Sequence, residues 1–318
     1  MIGRLDFVAW RKNISFGQNF SASRKNTNRG EFAMNDVSNK VILTIAPTGN
    51  VPTKKLTHHV PLTPREIAAD AYACWQEGAA VVHIHTRDKA GNPTSDIEVN
   101  REVMAELNKY PDCDIIRQLS TNGRAGKTYM ERGQMLCLSP EMAGLVTGSS
   151  NFPAQCNFND PETVSYLALE MLKYNVKPEI EVFDTAMIWN AIRLAEKAEI
   201  KTPMHFNLVL GMTGSQPATV EALMYCYQNL PKDCTWGVSV IGKSHVQLSS
   251  IAMALGGNVR VGIEDNIYYS RDTLATNVAL VRRIKNIALA MGKKIATPAE
   301  ARQILGLPPK NIKGYDDL

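Results

Sequence analysis

Ala80-Val81-Val82-His83-Ile84-His85-Thr86-Arg87-Asp88, with a helical pattern following from Ile97 to Lys109, reads as one β-strand handing over to one helix. In extended backbone successive side chains point to opposite faces, so Val82 and Ile84 pack on one side while His83 and His85 share the other. Two imidazoles at a strand end are a start on a metal site. Imidazole suits zinc, copper, iron or nickel, and a catalytic zinc commonly takes three protein ligands and keeps one position open. The same pair on a surface strand would only be solvated, and the pair alone does not decide between the two.

Outward from this unit the same alternation repeats. Val41 to Ala46 precedes Pro64 to Glu77, and Ile115 to Ser120 precedes Lys127 to Leu136. Met142 to Val146 leads to Pro161 to Lys173, Glu179 to Phe183 to Thr185 to Lys197, and His205 to Leu210 to Pro217 to Gln228. Trp236 to Ile241 with Val246 to Leu255, then Val259 to Ile263 with Thr273 to Met291, complete eight strand–helix units. Eight such units in about 250 residues predict an α/β fold, a closed (β/α)8 TIM barrel, rather than an open sheet. A doubly wound sheet is the alternative, but Ala46-Pro47-Thr48-Gly49-Asn50 after the first strand is a poor substitute for G-x-G-x-x-G. A further helix, Pro298 to Leu305, is expected to complete the outer layer.

The composition, 44% hydrophobic and 21% charged over 318 residues, is that of a chain able to bury a large core. No apolar run approaches the roughly 18 to 20 residues of a membrane span, so a soluble protein without membrane partners is expected. Six cysteines without a C-x-x-C pair favour reduced thiols and a cytoplasmic location. The first 39 residues carry six basic and three acidic side chains, hence +3 of the +4 net charge. The near-neutral remainder does not call for a nucleic-acid partner. Residues 1–39, rich in Asn, Ser, Arg and Gly, are read as an extension, and residues 40–318 as the catalytic domain. A transit peptide, a start at Met34 or an arm packing on a partner subunit are the open readings of that extension.

In a barrel of this kind the active site lies at the C-terminal ends of the strands. His83 and His85 qualify at the second strand. The eighth, Val259-Arg260-Val261-Gly262-Ile263-Glu264-Asp265-Asn266, puts Arg260, Gly262 and Glu264 on one face if the strand alternation holds. The second and eighth strands both flank the first, so Glu264 is the economical third metal ligand. Leu119-Ser120-Thr121-Asn122-Gly123 could supply donors to an anion or be an ordinary polar turn. Glu181 shares an inward face with Glu179 and needs a partner such as Arg260 or a metal. His205, near the start of its strand, suits a core hydrogen bond. Gly211-Met212-Thr213-Gly214 and Gly242-Lys243-Ser244-His245 are loops able to approach a phosphate-bearing cofactor.

Taken together, His-x-His-x-Arg after strand two, Ser-Thr-x-Gly after strand three and Gly-x-Glu-Asp-Asn after strand eight make the chain resemble the β-keto acid cleavage enzymes. The likeness spans Lys40 to Leu305 and includes Pro140-Glu141-Met142-Ala143 and Ala296-Thr297-Pro298. The resemblance implies a zinc-dependent TIM barrel that converts a β-keto acid and acetyl-CoA, its co-substrate, into acetoacetate and a new acyl-CoA. It implies one Zn2+ per subunit on His83, His85 and Glu264, Asp265 as the base poised by Arg260, Glu181 as an inward carboxylate, and Ser120 and Gly123 at the substrate carboxylate. A homotetramer is implied as well.

Two departures bear on substrate. Val51 stands where the aminohexanoate-cleaving members carry a glutamate for the substrate ammonium, and Gly144 stands where they carry a threonine. A neutral or dicarboxylic β-keto acid is therefore expected, with Lys54, Lys55, His58 or His59 available to a second carboxylate. The competing readings are a metal-dependent hydrolase or aldolase on the same fold, and a non-catalytic metabolite- or nucleic-acid-binding protein. For Arg87 and Asp88 the expectation is a salt bridge that shapes the loop.

Overall fold

Thr63-Pro64-Arg65-Glu66 opens the first helix, α1 (Pro64–Glu77), with a reciprocal cap: the Thr63 hydroxyl accepts from the Glu66 N–H, and the Glu66 carboxylate accepts from the Thr63 N–H. Gly78, at φ +118°, ends the helix in the left-handed conformation that glycine adopts without a Cβ penalty. The same punctuation starts α4 (Pro161–Lys173) behind Asp160 and α9 (Pro298–Leu305) behind Thr297. The computed structural model describes residues 39–123, 128–152 and 155–309. The expected extension, except for Asn39, lies outside the described residues.

Eight parallel strands close into a barrel. They are β1 (Leu43–Ile45), β2 (Val81–Ile84), β3 (Ile116–Leu119), β4 (Met142–Val146), β5 (Lys177–Val182), β6 (His205–Leu210), β7 (Thr235–Val240) and β8 (Asn258–Val261). Each pairs with the next, and β8 closes on β1 with Arg260 opposite Thr44. The remaining helices are α2 (Ile97–Asn108), α3 (Tyr129–Gly133), α5 (Ala186–Glu196), α6 (Val220–Gln228), α7 (His245–Ala254) and α8 (Asn277–Ala290). The expected (β/α)8 barrel is therefore what forms.

Strand alternation divides the barrel into two environments. Val82, Ile84, Ile180, Val182, Leu208, Val238 and Val259 face outward and join the helices in one buried apolar cluster. The inward face is polar. Ser239 Oγ donates to Asn207 Oδ1 at 2.9 Å, Asn207 Nδ2 to Glu179 Oε1 at 3.1 Å, and His205 sits 3.6 Å from Glu179 Oε2 and 2.8 Å from Thr235 Oγ1. His205 thus has the core hydrogen-bonding role its position suggested. A buried carboxylate is tolerated here because its oxygens are bonded.

Local expectations change at several points, among them the helix expected from Pro217, which begins at Val220. The helix expected from Lys127 begins at Tyr129 and passes after Gly133 into a tighter 3-10 turn, Gln134–Leu138. The helix expected from Thr273 begins at Asn277, because Thr273–Leu274 pairs instead with Tyr268–Ser270 in a hairpin. β8 ends at Val261 rather than Ile263. Finally, α9 does not join the outer layer. Its Ala301 and Leu305 pack with Ile42, Val81, Ile116 and Met142 at the N-terminal ends of β1 to β4, so it caps the barrel floor. Arg302 secures it through Glu141, 2.6 Å away, with both side chains almost fully buried.

Candidate active site

The side chains at the other end of β2 and β8 meet. His83 Nε2 and His85 Nε2 lie 3.1 Å apart, and Glu264 Oε1 is 3.4 Å from His85 Nε2 and 3.9 Å from His83 Nε2. The sequence placed Glu264 here by strand alternation, but a turn does the placing. After Val261 the chain bends, with the N–H groups of Asp265 and Asn266 both donating to the Gly262 carbonyl and that of Glu264 donating to Ala46. In a strand, Glu264 and Asp265 would face opposite sides. On this turn both reach Arg260: Nη2 bonds Glu264 and lies 3.1 Å from Asp265 Oδ1, and Nε lies 3.2 Å from Asp265 Oδ2.

Glu181 completes the cluster, 3.3 Å from Arg260 Nη1 and 3.9 Å from His83 Nε2. Burial, and then the charge of Arg260, push the His83 imidazole down to about 3, so it is neutral and fit to be a ligand. Burial works to raise Glu264, but Arg260 and the two histidines outweigh it and hold the carboxyl well below the usual range. Glu181 and Asp265 go the other way. Burial outweighs Arg260 and lifts Glu181 to about 8 and Asp265 to about 6, helped by the neighbouring carboxylates. Three carboxyl groups thus crowd one guanidinium, and the surplus of acid leaves the site suited to a further cation.

The donor set fits a metal ion. The ligand atoms of His83, His85 and Glu264 lie within 4.8 Å of one another. Tetrahedral zinc with bonds of about 2.0 to 2.1 Å places neighbouring donors about 3.3 Å apart, close to the two shorter separations. Among the described residues Glu264 Oε2 and His83 Nδ1, both buried, have no hydrogen-bond partner. A second set, His83, Glu179 and Glu181, is equally close, but Glu179 is already held by His205 and Asn207.

A small cavity of about 60 Å³ opens onto this cluster. His85, Glu181, Arg260, Glu264 and Asp265 form its polar side, and Val51, Phe152, Phe183, Val209 and Met212 are among its apolar residues. Asn122 also lines it, between the expected Ser120 and Gly123, which are not among the lining residues. The loop carrying them is held from below: Arg132 Nε donates to the Thr121 carbonyl at 2.8 Å, and Thr121 Oγ1 to that of Gly144 at 2.7 Å. Arg87 departs from expectation. It is buried, and it donates to the carbonyls of Gly49, Pro52 and Gly91 rather than pairing with Asp88, whose carboxylate takes the Ala90 and Asn92 N–H groups. Phe152 went unmarked in the sequence, and Gly49 and Asn50, the second of which also lines the cavity, were visible only within Ala46-Pro47-Thr48-Gly49-Asn50, read there as a poor glycine motif.

The closed barrel thus brings His83, His85 and Glu264, a cluster able to hold a metal, together with the Arg260–Asp265 pair at the strand ends of a barrel enzyme. Residues 40–307 match the model of the beta-keto acid cleavage enzyme family, and the chain belongs to that family. It is 41% identical to the 3-keto-5-aminohexanoate cleavage enzyme of Fusobacterium nucleatum, over 84% of this chain and 98% of the relative. It is 37% identical to the 3-oxoadipate:acetyl-CoA acetyltransferase of Cupriavidus necator, over 86% of this chain and 97% of the relative. Among solved structures, ObcA in a ternary complex with a C4-CoA adduct and oxalate shares the fold, with a TM-score of 0.67 at 20% identity, covering 78% of this chain and 68% of that one. Among the described residues no helix is long and apolar enough to cross a membrane.

Proposed function

We propose that this protein is a zinc-dependent enzyme that converts a β-keto acid and acetyl-CoA into acetoacetate and an acyl-CoA. The observation that carries the reading is the convergence of His83, His85 and Glu264 beside the Arg260–Asp265 pair in one cavity. The name of the Cupriavidus necator relative, which pairs acetyl-CoA with the keto acid 3-oxoadipate, supports the co-substrate. In the reaction the CH2–COO⁻ end of the keto acid leaves on the acetyl group as acetoacetate, and its acyl end leaves as the new thioester.

His83, His85 and Glu264 would hold the metal, which when bound supplies a Lewis acid for the keto acid's oxygens. Asp265 is the base that takes the α-proton, and the raised position of its carboxyl, about 6, suits a group that must accept and return a proton near neutrality. Arg260 orients Asp265 through two hydrogen bonds and offsets negative charge as it develops. Glu181, against the other side of Arg260, keeps the guanidinium in place. The loop of Ser120 and Gly123, which brings Asn122 to the cavity, is the part of the site offered to the substrate carboxylate.

The acyl pocket follows from Val51, Phe152, Phe183 and Met212. An apolar wall where an acid would meet an ammonium supports a neutral side chain over a 5-amino one. The dicarboxylic alternative loses one candidate, since Lys54 is bonded to Glu66 at 3.0 Å. Gly144 keeps the space beside Glu181 open, because a Cβ there would lie 3.4 Å from its carboxyl carbon. The start of the family match at residue 40 supports the division into an extension, 1–39, and a catalytic domain, 40–318. A homotetramer in the cytoplasm belongs to the same reading, and light scattering of the purified chain tests the assembly.

The deciding assay supplies a panel of β-keto acids with and without acetyl-CoA. Acetoacetate is expected only when both are present; its release without acetyl-CoA identifies a hydrolase or aldolase instead. The His83→Ala variant is expected to lose both metal and activity, and full activity without bound metal in that variant overturns the site. Turnover of 3-keto-5-aminohexanoate at least as fast as the rest of the panel overturns the substrate preference.

A further inference from the structure

Beside the inner cavity lies a second one of about 570 Å³, formed by the loops after β7 and β8. The two share Ile241 and Asp265, so the larger space opens beside the proposed base. The inner cavity is the smaller of the two and lacks room for a nucleotide. The outer one has room for the carrier of an acyl group.

The outer cavity is cationic. Lys243 comes from the loop leading into α7, Arg271 from the turn of the hairpin after β8, and Arg283 from α8. Cations elsewhere on this surface are often neutralised: Lys54 by Glu66, Lys109 by Glu106, Lys173 by Glu170, and Arg282, next to Arg283 in sequence, by Glu77. Among the described residues neither Lys243 nor Arg271 has such a carboxylate partner. Arg283 instead lies over the Tyr269 ring, 3.2 Å from its centroid, with Nη1 3.4 Å from His245 Nε2. That arrangement orients the guanidinium without cancelling its charge.

The backbone adds to this field. Ser244, the N-cap of α7, makes no capping hydrogen bond with its side chain, and Val246 and Gln247 of the first turn line the cavity. A helix start of this kind favours a negative group. The loop is fixed where it joins the active site: Asn266, directly after Asp265, accepts from the Gly242 N–H at 2.7 Å and donates to the Val240 carbonyl at 2.8 Å. Tyr268, 52% exposed, lies on the rim and offers an aromatic face.

We propose that this cavity is the coenzyme A site, with the phosphates on Lys243, Arg271 and Arg283, the adenine against Tyr268, and the thioester end directed past Ile241 to Asp265. The assignment rests on acetyl-CoA being the co-substrate, as argued above. Three phosphate groups on a nucleotide, joined to a long neutral arm, match a basic outer chamber that narrows to a small reactive one.

The test is calorimetric titration of the full chain with CoA, which needs no keto acid. The double variant Lys243→Glu/Arg271→Glu changes two exposed side chains, and Lys232→Glu, at the opposite end of the barrel, controls for charge. The double variant is expected to bind CoA about tenfold more weakly or worse, while Lys232→Glu binds as wild type. Wild-type affinity is expected to fall as salt is raised. Pantetheine, which lacks the phosphates, is expected to show no difference between wild type and the double variant.

Equal CoA affinity in wild type and double variant overturns the assignment, as does a wild-type chain that binds no CoA. Displacement of CoA by an equal concentration of orthophosphate also overturns it, because the site would then be one for simple phosphate. The two proposals fail separately. CoA binding that depends on Lys243 and Arg271, with no acetoacetate from any keto acid, removes the reaction and leaves the site. Acetoacetate formation with unchanged CoA affinity in the variant removes the site and leaves the reaction.

Discussion

Replacing Gly49 with alanine is expected to disable the site without changing any residue that performs chemistry. Gly49 has φ +62°, left-handed backbone that costs a residue with a Cβ about 1 to 2 kcal/mol. The larger effect is steric. A Cβ at this position would lie 2.5 Å from Glu264 Cγ, 2.9 Å from its Cβ and 3.1 Å from its Cα, where ordinary contact begins at 3.4 Å. Because the overlap extends to the backbone, rotating the Glu264 side chain does not relieve it, and the Glu264 N–H is tied to Ala46 at 3.2 Å. Gly49 is held in turn by Arg87, whose Nε donates to its carbonyl at 2.9 Å. The outcome is a shift of roughly 1 Å in the proposed ligand and its neighbour Asp265, which costs about 100-fold in rate.

The assay pairs metal content per chain with the initial rate of acetoacetate formation, and denaturant unfolding reports stability. Gly256→Ala is the control. Gly256 has φ +85°, but a Cβ there meets nothing within 4 Å, so it carries the backbone cost without the clash. Gly256→Ala is expected to lose about 1 to 2 kcal/mol of stability, Gly49→Ala more than that because of the clash, and only Gly49→Ala to lose metal and rate. A Gly49→Ala protein with wild-type metal content and rate would refute the reasoning.

Three further outcomes follow from the geometry. Burial raises the Asp70 carboxyl from 3.8 to about 6, against the opposing hydrogen bond from Asn277. Its folded form therefore binds the proton more tightly than its unfolded form, and stability from this group, full below about pH 4, is lost as pH rises through 6. Asp70→Asn should abolish that loss, so its stability relative to wild type rises by up to about 3 kcal/mol between pH 4 and 7 in urea unfolding. Arg302→Met removes the buried cation beside Glu141 at the barrel floor and should cost about 3 to 5 kcal/mol, part of it recovered when Glu141→Leu is added; equal stability of the single and double variants counts against a buried ion pair there. Arg260→Gln leaves Asp265 without its cation, so the acidic limb of the pH–rate profile should move upward, and an unmoved limb would mean that Asp265 is not the base.

The barrel was legible because its signals are local. Alternating Val, Ile and Leu at strand spacing, and Thr-Pro or Asp-Pro caps, placed Pro64–Glu77, Met142–Val146, Pro161–Lys173 and His205–Leu210 to the residue. The errors fell where distant contacts decide. Nothing near Arg87 in the sequence announces that it will be buried among carbonyls from another loop, and nothing in Pro298–Leu305 distinguishes a floor from a wall. His83, His85 and Glu264 were expected to meet and do meet, but Glu264 is delivered by a turn rather than by strand alternation. The outer cavity was visible only as an unspecific glycine loop, because its cations come from three separate elements.

That turn also bears on how such an enzyme can diversify. The N–H groups from Ile263 to Asn266 are all engaged, by Asn277, Ala46 and Gly262, and both polar ends of the Asn266 side chain are bonded to the loop after β7 or to β7 itself. An insertion or deletion of one residue between Val261 and Asn266 would move ligand and base out of their places together, so the length of this segment is closed to variation. New substrates must then be acquired elsewhere, through the side chains at Val51, Phe152 and Met212, which line the cavity without belonging to the turn.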